Sequence, residues 1–204
     1  FMPGSEMTLI VLTDGRTALP LETAQDYKPA FNGNRGPNTG GMGSYSPHVS
    51  LKHPLVKRVL TEIIGPTLEG LRSEGIEYRG ALYAGLMVTE AGPRLLEYNV
   101  RFGDPEIQPI LFRLESDLVD LVEACLDGNL AQLRTTWSPR TAVCVVGASA
   151  GYPGSYEKGV PIPDGGGVDA DVKVFFAGAK AANGSLVTSG GRVLGVTALG
   201  DTLK

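Results

Sequence analysis

The chain has 204 residues, 42% hydrophobic and 20% charged, with a formal net charge of −4. This is the composition of a folded globular protein, which excludes disorder over most of the length. The mildly acidic balance, without a stripe of Lys and Arg, excludes a groove built on nucleic-acid phosphates. The 28 glycines and 14 prolines follow no fixed period, so they read as turns rather than collagen.

Phe1 precedes the first methionine and an apolar run begins by Thr8; at the other end Val193 to Leu199 leads into Thr202-Leu203-Lys204 without a closing element. The chain is therefore expected to be a piece of a longer protein. TLIVLTDGRTALP (8 to 20) predicts two short strands around the turn Asp14-Gly15. Gln25 to His53 is rich in Gly, Pro, Asn and Ser with neither period, and reads as a long loop of the functional kind. From Leu55 to Leu71 apolar residues recur at spacings of three and four, predicting a helix that ends near Gly75 and is kinked at Pro66. ALYAGLMV (81 to 88) and RLLEYNVRF (94 to 102) predict a second hairpin around Ala91-Gly92-Pro93, followed by helices near 106 to 114 and 117 to 127.

Beyond Asn129 helical periodicity gives way to short β runs at 141 to 149, 172 to 178, 185 to 189 and 192 to 199, which places a domain boundary near residue 137. The expected units are 1–137 and a small β-rich unit, 138–204, in an α+β protein. Cys125 and Cys144 both sit in apolar runs and read as buried free thiols in a reducing compartment. No stretch is long and apolar enough to be read as a membrane span.

The strand Leu95 to Arg101 carries the first chemical signal. With a period of two, Glu97, Asn99 and Arg101 share one face, and Leu96, Tyr98, Val100 and Phe102 are expected in the core. A carboxylate, an amide oxygen and a guanidinium in a row suit a hard cation with phosphate, and equally an ordinary solvated face. Gly103-Asp104-Pro105-Glu106 has the form of a helix start, with Asp104 as N-cap, Pro105 first in the helix and Glu106 in its first turn. Amides at such a start could hold an anionic or carboxylate substrate.

In the long loop, GPNTGGMGSYSP (36 to 47) places Asn38, Thr39, Gly40 and Gly41 where backbone amides could be aimed at ligand oxygens, although a flexible loop would also use the glycines. Asp26 and Lys28 could add an acid and a cation at the same mouth. Glu6, alone in a polar turn, stays outside the expected site. His48 and His53 lack zinc-ligand spacing, and no G-x-S-x-G elbow occurs.

GPNTGGMGSYSP, GALYAGLMV (80 to 88) and LLEYNVRFGDPEIQP (95 to 109), in this order around one amphipathic helix, resemble the phosphoribosylamine-glycine ligase family of ATP-grasp enzymes, as do the later TAVCVVGASAGYPGSYEKG and GGRVLGVTALG. The resemblance implies the second half of an ATP-grasp domain followed by a small β-rich C-terminal domain. It implies a cytoplasmic ligase of purine biosynthesis that joins 5-phosphoribosylamine and glycine at the expense of ATP, through a glycyl phosphate, with small-molecule partners only. Another ATP-grasp carboxylate-amine ligase, or a non-catalytic nucleotide-binding module, is the alternative. Glu97 and Asn99 are then expected to hold Mg²⁺ or Mn²⁺ and Arg101 to meet the transferring phosphoryl group. Asp26, Lys28, Asn38, Thr39, Gly40, Gly41, Asp104 and Pro105 are expected on the substrate side. Family members often read Asp-His-Lys where this chain has Asp26-Tyr27-Lys28. The adenine pocket is expected outside these residues, which leaves the isolated chain inactive.

Overall fold

A computed structural model describes residues 2–163 and 169–203. In chain order its strands are β1 (Ser5–Thr13), β2 (Ala18–Pro20), β3 (Gln25–Asp26), β4 (Pro29–Phe31), β5 (Arg35–Asn38), β6 (Gly43–Ser46), β7 (Gly80–Thr89), β8 (Gly92–Asn99), β9 (Thr141–Ala148), β10 (Val172–Phe176), β11 (Ala179–Ala182), β12 (Ser185–Thr188) and β13 (Arg192–Gly200). The α-helices are α1 (Pro54–Val59), α2 (Gly65–Ser73), α3 (Ile107–Arg113) and α4 (Leu118–Asp127).

β1 is apolar almost without interruption because both of its faces are covered. Met7, Leu9 and Val11 pack with Leu82, Ala84 and Leu86 of β7 under Val56, Val59, Ile64 and Leu68 of the α1–α2 region. Ile10 and Leu12, on the other face, pack with Leu21, Tyr83, Ile110, Leu121 and Cys125. The four-stranded sheet runs β2-β1-β7-β8, antiparallel throughout, and both expected hairpins are present.

The expected helix from 55 to 75 is one path with a change of pitch. Between α1 and α2 lies a π-turn, Leu60–Ile64, in which the Gly65 amide reaches back five residues to the Leu60 carbonyl. Pro66 has no amide to give and its ring crowds the preceding turn, so the wide turn relieves what would otherwise be a break.

The segment from Gln25 to His53 is not a structureless loop. β4 and β5 form a small hairpin, and β3 and β6 join a five-stranded antiparallel sheet of order β10-β13-β9-β6-β3. These strands escaped the sequence reading because each has only two to four residues, and the partner that makes β6 a strand lies about a hundred residues on, with Ser44 opposite Cys144. A Cβ on Gly43 would come within 2.6 Å of the Cys144 carbonyl oxygen, so this close pairing needs glycine. The sheet thus takes β3 and β6 from before residue 137 and β9, β10 and β13 from after it. Both cysteines are buried free thiols.

β8 departs from the alternation read in its sequence. Its register against β7 slips between Gly85↔Glu97 and Leu86↔Leu95, leaving Leu96 as an unpaired bulge residue. Leu96 is 45% exposed and Val100, past the end of the strand, is 74% exposed, so neither belongs to the core. Tyr98 does pack against the first core. The helix start differs as well: α3 begins at Ile107 with Glu106 at the cap and no side-chain cap. Asp104 does not cap it, because Gln108 Nε2 donates to its carboxylate at 2.8 Å and Arg192 Nη2 lies 3.2 Å from it.

Candidate functional site

Three strands define one face of the site. Thr8 on β1 lies opposite Gly85 on β7, which lies opposite Glu97 on β8; one step along, Tyr83 lies opposite Asn99. Residues that alternate along strands share a face, so Glu6 and Thr8, Tyr83 and Gly85, and Glu97 line one cleft of about 190 Å³. Gly85 is what keeps it open: a Cβ there would sit 3.1 Å from Glu97 Cγ and 3.3 Å from Tyr83 Cε1.

Asp26 and Lys28 complete the cleft, brought alongside β1 by the paired hydrogen bonds between Thr8 and Ala24. Lys28 Nζ donates to Glu6 Oε2 at 2.9 Å and lies 3.2 Å from Asp26 Oδ2. Burial raises the Asp26 pKa, opposed by the Lys28 charge. For Lys28 burial acts downward, but the Asp26 and Glu6 carboxylates outweigh it and hold its pKa above the ordinary value. The ammonium therefore stays charged at neutral pH. With Glu97 the cleft sets three carboxylates against one ammonium, a balance that draws in a divalent cation or an amine and repels a bare phosphate.

Below this layer is a buried polar group. The Tyr83 hydroxyl donates to Glu106 Oε1 at 2.6 Å, and Thr8 Oγ1 stands 3.1 Å from the same hydroxyl. Glu106 and Tyr83 are each 3% exposed. Burial raises the pKa of both; the Tyr83 bond works against that rise in Glu106, and the Glu106 charge adds to it in Tyr83. Tyr83 remains a phenol, hence a donor.

Asn38 lines a neighbouring cleft of about 580 Å³ with Glu6, Asp26, Lys28 and Asn34. The loop beyond it is tied to the protein. Thr39 N and Oγ1 both donate to the Lys28 carbonyl (2.8 and 2.7 Å), Gly40 N to the Tyr152 hydroxyl (3.1 Å), Gly41 N to Thr39 Oγ1 (3.0 Å) and Met42 N to the Tyr27 carbonyl (2.7 Å). These amides hold the loop in place instead of projecting towards a ligand. Gly40 and Gly41 meet Asp104 and Pro105: a Cβ on Gly41 would lie 2.4 Å from Pro105 Cδ, and Ser44 Oγ donates to the Pro105 carbonyl at 2.7 Å. Glu106, next in the chain, joins this turn to the cleft floor through Tyr83.

Glu97 and Asn99 stand together, with Asn99 Nδ2 3.3 Å from Glu97 Oε1. Arg101 lies beyond the strand, exposed, with Nη1 donating to the Phe102 carbonyl at 2.7 Å. A carboxylate and an amide oxygen are hard donors that fit a hard divalent cation. Among the described residues no group of three or more His, Cys, Asp or Glu could hold a metal. A cation here would thus take two side-chain oxygens and fill its remaining positions from phosphates and water, the habit of Mg²⁺.

Sequence reasoning missed Glu6, Thr8, Tyr83, Glu106 as a cleft element, and Arg192. Glu6 looked solitary because its partner Lys28 is 22 residues away. Tyr83 reads as one more aromatic in a strand. Of the two histidines, His53 caps α1, its Nδ1 accepting from Leu55 N at 3.2 Å.

A family model described as phosphoribosylglycinamide synthetase, ATP-grasp (A) domain, matches residues 1–107, and one for the C domain of the same synthetase matches 142–204. The phosphoribosylamine–glycine ligase of Rhizobium meliloti (strain 1021) is 48% identical over 203 residues, covering 100% of this chain and 48% of the relative. That of Pseudomonas aeruginosa is 50% identical over 206 residues, with 100% and 48% coverage. The crystal structure of phosphoribosylamine–glycine ligase from Thermotoga maritima superposes with a TM-score of 0.88 at 39% identity, covering 100% of this chain and 50% of that one. Phosphoribosylglycinamide synthetase from Anaerococcus prevotii, 11% identical with a TM-score of 0.67 and the same 100% and 50% coverage, shares the fold. The chain thus spans about half the length of the curated relatives it matches.

Proposed function

The chain belongs to the phosphoribosylglycinamide synthetase family and has its ATP-grasp fold, and from that premise we propose that it carries the metal and substrate side of a ligase. The reaction joins 5-phosphoribosylamine to glycine with ATP, giving glycinamide ribonucleotide, ADP and phosphate, in de novo purine synthesis. A glycine carboxylate oxygen attacks the γ-phosphorus and ADP leaves. The amine nitrogen then attacks the glycyl carbon, phosphate leaves, and the amine gives up a proton.

The observation that carries this reading is the pairing of Glu97 with Asn99 at the rim of a cleft with an excess of carboxylates. Glu97 and Asn99 would hold Mg²⁺ or Mn²⁺, which when bound offsets the charge of the ATP phosphates. Arg101 spends one N–H on the Phe102 carbonyl and, with five donors in its guanidinium, keeps others for phosphoryl oxygens. Asp26 and Lys28, with Asn38 beside them, would meet the amine and the glycine carboxylate. Thr39, Gly40, Gly41, Asp104 and Pro105 would shape the wall of that side. We put the boundary between the ATP-grasp part, 1–137, and the small β-rich part, 138–204, near residue 137. That position falls within 108–141, which the family models leave between them, while the five-stranded sheet joins β3 and β6 to β9, β10 and β13 across it. A cytoplasmic setting accords with the two free buried thiols, and no helix among the described residues is long and apolar enough to cross a membrane.

In the polypeptide that carries these residues, sustained ADP release should require glycine and 5-phosphoribosylamine together, because the glycyl phosphate formed in the first step is cleared by the amine. Glu97→Gln should lower kcat by ~10²-fold or more, as loss of metal-assisted charge stabilisation does, with the thermal midpoint unchanged because the side chain is exposed. A variant with full kcat and unaltered metal dependence would refute the assignment.

A further inference from the structure

We infer that Arg192, on the last strand, is a positioning residue for the substrate side of the site, its guanidinium fastening the Gly40-Gly41 backbone to the Asp104-Pro105 turn. Nη1 donates to the Gly40 carbonyl at 2.8 Å and the Asp104 carbonyl at 2.7 Å, with the Gly41 carbonyl at 3.4 Å. Nη2 lies 3.2 Å from the Asp104 carboxylate, which supplies the counter-charge. Three segments far apart in sequence, at Gly40, Asp104 and Arg192, are thus joined by one guanidinium. The local backbone is suited to it. The register of β13 against β9 slips between Arg192 and Leu194, a bulge of the kind that re-aims a side chain. A Cβ on Gly40 would sit 3.0 Å from Arg192 Cζ, so glycine lets the guanidinium lie against the loop. The same loop receives a second tie from the C-terminal part, the Tyr152 hydroxyl accepting from Gly40 N at 3.1 Å.

The sheet itself does not need this side chain. The ladder between β13 and its neighbours is backbone hydrogen bonding, and Arg192 spends its side-chain donors across the boundary on carbonyls 88 to 152 residues away in sequence. A lysine could replace the charge but not the fork, since one ammonium nitrogen cannot stand both where Nη1 meets the carbonyls and where Nη2 meets the Asp104 carboxylate. The functional half of this inference rests on the ligase reading; the structural half does not.

The test uses Arg192→Ala and Arg192→Lys in the polypeptide that carries these residues, with Arg140→Ala as control. Arg140 also sits beside β13, pairing with Asp171 at 2.6 Å and donating to the Leu199 carbonyl at 3.1 Å, but it does not touch the loop. Hydrogen exchange without substrates should rise at residues 39–42 in both Arg192 variants, more in Arg192→Ala, and stay unchanged in Arg140→Ala. In steady-state kinetics the KM for glycine or for 5-phosphoribosylamine should rise about tenfold or more in Arg192→Ala, the scale of losing a hydrogen bond from a charged group. The KM for ATP should hold, and Arg192→Lys should recover part of the loss. If Arg192→Ala does not fold, Arg192→Lys carries both measurements. Wild-type exchange in the loop of the Arg192 variants overturns the inference, as does a loosened loop with every KM unchanged. If the unaltered polypeptide fails to consume glycine, the ligase reading falls, and the exchange result alone decides whether Arg192 holds the loop.

Discussion

At Gly41 the backbone has φ +108°, and an added Cβ would meet Pro105 Cδ at 2.4 Å. Gly41→Val therefore combines a conformation that L side chains avoid with a collision against the turn that leads to Glu106, at a cost of about 1–3 kcal/mol for the backbone alone. The expected outcome is a weaker KM for the substrate side together with a lowered thermal midpoint; steady-state kinetics and a melting curve check both, and wild-type values would remove the loop from the site. Glu106 offers a test of sign. Its folded pKa is raised by burial, so the native state holds a proton that the unfolded chain has released. That contribution to stability is complete below the ordinary glutamate pKa and is lost as pH rises from there through the folded value, with a slope of up to about 1.4 kcal/mol per pH unit for one proton. Asp26 and Glu22, also raised by burial, act in the same direction. Glu106→Gln keeps an acceptor for Tyr83 and removes one titration, so urea unfolding at a series of pH values should show a flatter fall above the glutamate range. An undiminished slope would mean that Glu106 is already ionised in the fold.

Among the elements, β1 and β8 differ in what their patterns disclosed. The unbroken apolar run of β1 signals a strand covered on both faces, and its residues divide between two cores. Leu9→Ala, at a position with 0% exposure, should cost about 2–5 kcal/mol. β8 reads as a clean alternation, yet one bulge at Leu96 and an early end at Asn99 put Leu96 and Val100 outside the core. Val100→Ser should therefore change stability by less than about 0.5 kcal/mol. Parallel urea titrations compare the two, and a large loss at Val100 would restore the alternating reading. The α1–α2 path was legible because its spacing of three and four is a local property, whereas the π-turn is set by how Pro66 is accommodated. Of the candidate site, Glu97 with Asn99 was legible for the same local reason, as was the concentration of glycines. The company that Glu6 keeps was not, since a carboxylate in a turn says nothing of the lysine that folds back to it.

Over the whole molecule, the 204 residues span about half the length of the curated relatives they match, so the isolated chain should release no ADP from ATP with glycine and 5-phosphoribosylamine. A coupled assay decides this, and sustained turnover by the 204 residues alone would contradict it. By itself the sequence determined the α+β class, both hairpins and the order of the helices, because each rests on a hydrophobic period or turn contained within one short stretch, and it determined the ATP-grasp family through several motifs taken in order. Tertiary structure alone decided that β6 lies against β9, that β3 and β6 share a sheet with β10 and β13, that Leu96 bulges, and that Arg192 reaches Gly40 and Asp104. Those outcomes depend on which surfaces are left to be covered once distant segments meet, and hydrophobic period within a single segment carries no record of its partner.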